Sequence, residues 1–327
     1  MNQSRGDERW MAAAIALSTR GRGRTCPNPN IGCVIVRNGH MVGRGWTQPT
    51  GRPHAEAVAL AQAGDAAHGA TAYVTLEPCA HNSSRGAPCA DSLITAGIAR
   101  VVGALRDPDQ RTNGRGFARL AAAGIAVTEG VLADAARHSM AGWWSRATQG
   151  RAHVTLKLAT SLDGCIALTD GSSRWITGEA ARRHAHLLRA QSDAILVGRG
   201  TWDVDRPSLD IRLAGLEDRG PRRLVLSRYP VNGIEIVASP AATVVVPGVD
   251  ALLVEGGAQA AAAFLHADLV DRLILYRAPI LIGSGKASLA DIGLHSLADA
   301  HGRWRLADAR QLGPDRVEIY HRTGQEG

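Results

Sequence analysis

Apolar and polar positions alternate along this chain with the periods of helices and strands in turn. Trp10, Met11, Ala14 and Leu17 share one face of an amphipathic helix. Ile31 to Arg37 is an apolar run of strand length, Asn38-Gly39 is the dipeptide of a type I′ hairpin, and His40 to Trp46 returns as the partner strand. Residues 54–63 read as a helix stopped by Gly64. Thr71 to Leu76 is a strand, and Pro88 opens a helix that Gly97 ends. Ala99 to Leu105 is a strand, residues 114–123 a helix and Ile125 to Glu129 a strand. Residues 131–150 keep helical spacing and end in the polar Gln149-Gly150, where a domain boundary is expected.

The pattern restarts after Gly150. His153 to Thr160 alternates as a strand, Asp163-Gly164 is a turn, residues 178–191 are helical and Ala194 to Gly198 is a buried strand. Residues 213–222 are charged and glycine-rich, as in a surface loop. Leu224 to Leu226, Thr243 to Val246 and Leu252 to Glu255 read as short strands. Gly256-Gly257 opens a helix through Leu265, and Val270 to Tyr276, Arg303 to Leu306 and Val317 to His321 close a sheet. Alternating strands and helices predict two α/β domains, residues 1–150 and 151–327, with no repeat between them.

Composition narrows the classes. At 327 residues, 45% hydrophobic and 20% charged, the chain buries a large core, which rules out wholesale disorder. The 37 basic residues exceed the 30 acidic ones by seven, which favours anionic partners without naming one. Only Lys157 and Lys286 are lysines. So uniform a use of arginine looks like coding bias, which weakens the charge as a sign of nucleic-acid binding. Five cysteines are an odd, sparse set and suit reduced thiols or metal ligands rather than a disulfide framework. Asp7 and Glu8 precede the first apolar stretch and no small-residue cleavage site follows it, unlike a signal peptide. No apolar run approaches the ~18 residues of a membrane span. A cytoplasmic protein without membrane contact is expected.

Candidate chemistry gathers in the first half. His54, two residues before Glu56, opens a helix; Cys79 follows a strand and Cys89 opens another helix. One imidazole and two thiolates leave a zinc ion its fourth position for water, whose pKa zinc brings towards neutrality. Glu56 is then the proton carrier, provided His54 caps its helix so that both face one pocket. H-x-E followed by Pro-Cys and a second Cys is the pattern of zinc nucleobase deaminases, although nine residues separate these cysteines instead of the usual two. Three buried residues holding no metal is the plainer alternative. Cys26 and Cys33 compete as ligands, but Cys33 sits in an apolar strand and suits packing better. His81 is equally suited to touching substrate and to being solvated. The Asn28 amide, in Pro27-Asn28-Pro29-Asn30, suits a pyrimidine edge, and an ordinary turn explains it as well.

Taken jointly, these motifs resemble the riboflavin biosynthesis deaminase/reductase family. Pro27-Asn-Pro-Asn-Ile-Gly-Cys-Val, His54-Ala-Glu, Thr75-Leu-Glu-Pro-Cys-Ala-His, Arg106-Asp-Pro-Asp and Gly114-Arg-Gly carry the likeness in the first half. Leu156-Lys-Leu-Ala-Thr-Ser-Leu-Asp-Gly, Trp175-Ile-Thr, Leu188-Arg-Ala-Gln-Ser, Val254-Glu-Gly-Gly and Pro279-Ile-Leu-Ile-Gly carry it in the second. The resemblance implies an N-terminal cytidine deaminase-like three-layer domain joined to a C-terminal dihydrofolate reductase-like domain. It implies zinc-dependent deamination of a phosphoribosylamino-diaminopyrimidinone, then NADPH-dependent reduction of the ribosyl to a ribityl chain. Zinc would be held by His54, Cys79 and Cys89, with Glu56 catalytic. Ala159, Trp175, Thr201 and Asp205 fall where the family contacts NADPH, and Ser173, Arg189, Leu209, Arg212 and Glu255 where it contacts substrate. Arg189 and Arg212 suit the ribose phosphate. Gly256 and Gly257, opening a helix, suit a cofactor phosphate, and Ser227 with Arg228, ending a strand, the 2′-phosphate. Lys157 is expected to share the face of Ala159 only through a bulge and is given no role. The expected partner is a small phosphorylated pyrimidine, with no nucleic acid, and the chain is expected to form a homo-oligomer.

Three departures from the family stand out. The loop from Cys79 to Cys89 is one residue longer than in many members, and Arg206 replaces an acid or amide after Asp205. The stretch from Arg212 to Glu255 is short, so a helix leading into Val254-Glu-Gly-Gly is expected to be missing or reduced, which bears on reductase activity. Two rival readings remain. A tRNA or nucleoside deaminase with an unrelated C-terminal domain fits the basic charge, but an aromatic content of 4% is poor for base stacking. A nucleic-acid-binding or scaffold protein with a structural zinc lacks an obvious fourth ligand.

Overall fold

A computed structural model describes residues 3–82 and 86–324. The chain divides into two compact units between Gly150 and Arg151.

The first unit comprises α1 (Gln3–Ser18), β1 (Gly32–Arg37), β2 (His40–Trp46), α2 (Ala55–Ala63), β3 (Thr71–Val74), α3 (Cys89–Thr95), β4 (Arg100–Gly103), α4 (Arg115–Ala122), β5 (Ala126–Thr128), α5 (Ala133–Ser139) and α6 (Ala141–Gln149). The sheet runs β2-β1-β3-β4-β5, with β1 antiparallel to both neighbours and β3, β4 and β5 parallel. Asn38 and Gly39 both take the positive φ that a type I′ turn needs, 51° and 76°. Small residues let helices close onto both faces. A Cβ on Gly32 would strike Ala14 of α1, whereas one on Gly43 or Gly45 would strike backbone oxygens of α2. Gly45 pairs with Cys33, the residue after Gly32, and successive strand residues face opposite ways. Helices α1 and α2 therefore cover opposite faces of the sheet. The apolar residues between them, among them Met11, Ile35, Val74, Leu93, Val101 and Leu120, form the core.

The second unit comprises β6 (His153–Thr160), β7 (Cys165–Ala167), α7 (Glu179–Ala190), β8 (Ala194–Gly198), α8 (Arg199–Asp205), β9 (Arg222–Leu226), β10 (Glu235–Val237), α9 (Pro240–Thr243), β11 (Ala251–Glu255), α10 (Ala258–His266), β12 (Arg272–Arg277), β13 (Lys286–Ala287), β14 (Trp304–Leu312) and β15 (Asp315–Arg322). Its eight-stranded sheet runs β10-β9-β8-β11-β6-β12-β15-β14. The first six strands are parallel, and β15 and β14 add as antiparallel partners. Strands β7 and β13 form a separate antiparallel pair. Leu156, Leu196, Val254 and Phe264 lie in its core.

Several sequence expectations change. Thr243 to Val246 is not a strand: Ser239 caps α9 by accepting from the Ala242 N–H at 3.2 Å, with Pro240 in the first turn. The valines after α9 bury Val244 and Val246 and expose Val245, and the sheet is continued instead by β10. The reduced helix before β11 is this single turn, four residues long. The 131–150 helix breaks at Met140, whose φ of −116° and ψ of 28° are not helical. Strand β14 runs well past Leu306; it is an edge strand exposed over most of its length, so burial leaves no alternation to read. Among the described residues no helix is long and apolar enough to cross a membrane.

Candidate functional site

In the first unit, three buried side chains converge: the donor atoms of His54, Cys79 and Cys89 all lie within 4.8 Å of one another. His54 caps α2 with extended backbone, so Glu56 falls in the first helical turn. Cys79 lies beyond the end of β3, and Cys89 begins α3 behind Pro88. His54 Nδ1 is 3.3 Å from Cys89 Sγ and 3.8 Å from Cys79 Sγ. A tetrahedral zinc with bonds of ~2.0–2.1 Å to nitrogen and ~2.3 Å to sulfur requires N···S separations of about 3.5 Å, so the donor set fits that ion. The backbone N–H of Cys89 donates to Cys79 Sγ at 3.3 Å. Hydrogen bonding with Cys89 takes the Cys79 thiol down to about 4, and the same interaction with burial pushes Cys89 up. A divalent cation displaces the proton that such a pair shares. Among the described residues, Cys33 and Cys26 stand outside this group; Cys33 is fully buried in β1, as packing predicts.

Glu56 is 1% exposed, and its Oε2 finds no hydrogen-bond partner among the described residues. Burial raises its pKa, against the pull of His54. A buried carboxyl with one oxygen unpartnered beside a three-donor cluster is suited to exchanging protons with a ligand there. The Asn28 amide lies 3.4 Å from His54 Nε2. A ring that binds metal through Nδ1 keeps its proton on Nε2, and an amide oxygen turned to that side accepts it. Asn30 is structural: its amide donates to the Ser18 and Ser139 carbonyls. His81 Nδ1 is 3.3 Å from the buried Thr112 hydroxyl. Part of the lengthened loop, residues 83–85, lies outside the described residues.

Sequence reasoning gave Glu77 no role, yet it organises this mouth. Its buried carboxylate accepts four backbone N–H bonds, from Gly116 (2.7 Å) and Phe117 (3.3 Å) at Oε1 and from Gly114 (2.8 Å) and Asp107 (3.2 Å) at Oε2. The loop that carries Thr112 is thereby tied to the residues leading into Cys79. Burial lifts the Asp107 carboxyl to about 6.

In the second unit, a cleft opens at the carboxyl ends of β6, β8 and β11, where parallel α/β sheets place ligands. It consists of two adjoining cavities of about 780 Å³ each, sharing Lys157, Ala159, Ser173, Asp205 and Glu255. One is also lined by Thr201, Gly256 and Gly257, and the other by Trp175, Arg189, Leu209 and Arg212. Gly256 allows β11 to approach the start of α8, since a Cβ there would meet the Gly198 nitrogen. Thr201 Oγ1 accepts from Gly257 N–H at 3.0 Å. The Glu255 carboxylate is gripped by Arg189 through two bonds of 2.8 and 3.0 Å and stands 3.6 Å from Lys157 Nζ. Burial would raise its pKa, but Lys157 and Arg189 bring it below the ordinary value. Arg189 also donates to the Asp210 carbonyl, so part of its fork is already engaged.

Two expectations read differently here. Strand β6 pairs with β11 and β12 without a register shift, so Lys157 and Ala159 share a face by the two-residue period and no bulge is involved. Ser227 lines neither cavity: its hydroxyl donates to the Tyr229 carbonyl at 2.7 Å and accepts from Tyr229 N–H. Its neighbour Leu226 does line the first. Lys286 and Arg199, unassigned from sequence, line it too.

The two halves match different family models. Residues 4–105 match the cytidine and deoxycytidylate deaminase zinc-binding region. Residues 152–247 and 246–317 match the RibD C-terminal domain, in two stretches that meet where the chain is short. The riboflavin biosynthesis protein RibD of Escherichia coli is 40% identical over 94% of this chain and 97% of its own, and that of Mycobacterium tuberculosis 39% identical over 96% and 97%. Acinetobacter baumannii RibD superposes with a TM-score of 0.86 at 36% identity, covering 98% of this chain and 99% of that one. A Thermotoga maritima diaminohydroxyphosphoribosylaminopyrimidine deaminase/5-amino-6-(5-phosphoribosylamino)uracil reductase does so at 0.88 and 30%, covering 98% and 100%. With likeness at this level along the whole length of both halves, the chain belongs to the riboflavin biosynthesis RibD family, enzymes that join a zinc-dependent deaminase to an NADPH-using reductase.

Proposed function

We propose that residues 1–150 hydrolytically deaminate a phosphoribosylamino-diaminopyrimidinone and that residues 151–327 reduce the ribosyl side chain of the product to ribityl. The observation that carries the first step is the buried Glu56 oxygen without a partner beside His54, Cys79 and Cys89. Bound zinc supplies the Lewis acidity that makes water nucleophilic near neutral pH. Glu56 takes the water proton and returns protons to the ring and to the departing amine, so that water and amine become carbonyl and ammonia. Asn28 steadies His54 and offers the rest of its amide to the pyrimidine, and His81 borders the same opening.

NADPH supplies the hydride for the second step. Ala159, Trp175, Thr201, Asp205, Gly256 and Gly257 are assigned to holding it, with α10 presenting its N-terminal amides to phosphate. Ser227, which lines neither cavity, is given no part in holding it. Ser173, Leu209, Arg212 and Glu255 are assigned to the pyrimidine; Arg212 meets the ribose phosphate, and Arg189 acts chiefly by fixing Glu255. A cytoplasmic homo-oligomer that acts on small molecules and not on nucleic acid belongs to the same proposal, and light scattering tests the assembly. The decisive experiment feeds zinc-replete protein the diaminopyrimidine phosphate with and without NADPH and identifies each product by mass. Glu56→Gln is expected to retain zinc and lose ammonia release; normal deamination by that variant would overturn the role of Glu56.

A further inference from the structure

The cavity lined by Thr201, Gly256 and Gly257 has three cations in its wall, and their surroundings differ. Lys157 faces Glu255 at 3.6 Å, and Arg199 is paired with Asp203 at 2.6 Å. The Lys286 side chain, on β13, has no hydrogen bond and no ion pair among the described residues; Asp170 senses it only through charge. Its ammonium is turned towards the cavity wall, 3.2 Å from where a Cβ on Gly171 would lie, and Gly171 lines the same cavity.

Composition adds an independent observation. Of 37 basic residues only two are lysines, and both line this cavity. Lysine offers a compact, fully hydrated point charge where arginine offers a flat fork. In a chain that uses arginine almost everywhere else, both ammonium groups stand in the walls of one site.

We propose that Lys286 binds a phosphate of the dinucleotide cofactor, an assignment that rests on the reductase reading above. A dinucleotide brings several anionic oxygens into the cavity. The α10 N-terminus supplies backbone donors on one side, but one of them, the Gly257 N–H, is spent on Thr201. Lys157 faces the Glu255 carboxylate that it shares with Arg189, and Arg199 is paired with Asp203, whereas Lys286 has no carboxylate at ion-pair distance among the described residues, so its ammonium is left for the ligand. The phosphate of the pyrimidine is the other source of the same chemistry. The dinucleotide is favoured because Lys286 is absent from the adjoining cavity of Arg189 and Arg212.

The test titrates Lys286→Ala and Lys286→Gln with NADPH and with NADH, following tryptophan fluorescence at two salt concentrations. Expected is a weakening of NADPH binding by about five- to tenfold, the loss of one charge-assisted contact, shrinking as salt rises. The maximal reduction rate, the KM for the pyrimidine and ammonia release should stay as in the parent. Weakening of NADPH and NADH alike assigns the ammonium to the diphosphate, and weakening of NADPH alone to the 2′-phosphate; either supports the proposal. Unchanged NADPH affinity, a salt-independent change, or a rise confined to the pyrimidine KM overturns it. Failure of the parent protein itself to bind NADPH would instead overturn the reductase reading.

Discussion

Replacing Glu77 by Gln isolates the carboxylate that ties the loop from Asp107 to Gly114 to the metal-ligand segment. The side chain keeps its size, but one oxygen becomes an NH2 group facing backbone donors. Whichever way the amide turns, two of the four N–H bonds lose their acceptor, either those of Gly116 and Phe117 or those of Gly114 and Asp107. A hydrogen bond to a charged group contributes ~1.5–3 kcal/mol, so losing two is expected to cost about 3–6 kcal/mol. That is a large part of the ~5–15 kcal/mol that holds a domain together. With a urea slope of ~1–3 kcal/mol per molar, the midpoint should fall by about 2 M. Loss of ammonia release with urea follows the first unit, while loss of NADPH oxidation on supplied deaminated intermediate follows the second and serves as an internal control. In the absence of urea, looser support of Thr112 and His81 should raise the pyrimidine KM of deamination and leave reduction alone. A midpoint shift below about 0.5 M, or an equal effect on both activities, would refute this reasoning.

Further expectations follow from the same interactions. Asp7 of α1 accepts from Nη1 and Nη2 of Arg100 at 2.9 and 2.7 Å and from the Tyr73 hydroxyl at 3.0 Å, and Arg100 holds its carboxyl below the ordinary range against the effect of burial. A folded pKa below the unfolded one stabilises the fold above the unfolded value, and that contribution is lost as pH falls through the folded one. Asp7→Asn should therefore cost about 2–4 kcal/mol at neutral pH, and its difference from the parent in urea should close as pH drops below 3.8; a constant difference across that window contradicts the ion pair. Removal of zinc by a chelator should abolish ammonia release and lower the thermal midpoint of the first unit, while NADPH oxidation on supplied deaminated intermediate persists. Readded zinc should restore both, and calorimetry with the two activity assays checks it.

Much of the site was legible because its signals are local. His54 and Glu56 share one helical turn, and the extended backbone at a helix cap is what brings a residue and its second neighbour to one pocket. Pro88 announced the helix that presents Cys89. The Asn38-Gly39 turn set the register of β1 and β2. The misreading at Thr243 to Val246 has an equally local cause: three consecutive valines look like a strand, while the cap formed by Ser239 and Pro240 outweighs their propensity. The nine residues of β14 left no apolar pattern because solvent covers that edge.

Period, caps and turn residues are short-range properties, so the amino-acid order alone determined two α/β halves, their helix starts and the candidate donor set of His54, Cys79 and Cys89. Tertiary structure decided what depends on residues far apart in the chain. It brought Glu77 to backbone donors some thirty to forty positions away, closed Arg189 and Lys157 around Glu255, and left Lys286 without an ion-pair partner among the described residues. Whether a charge is spent within the fold or kept for a ligand is a matter of which partner lies within a few ångströms, and only the folded chain sets those distances.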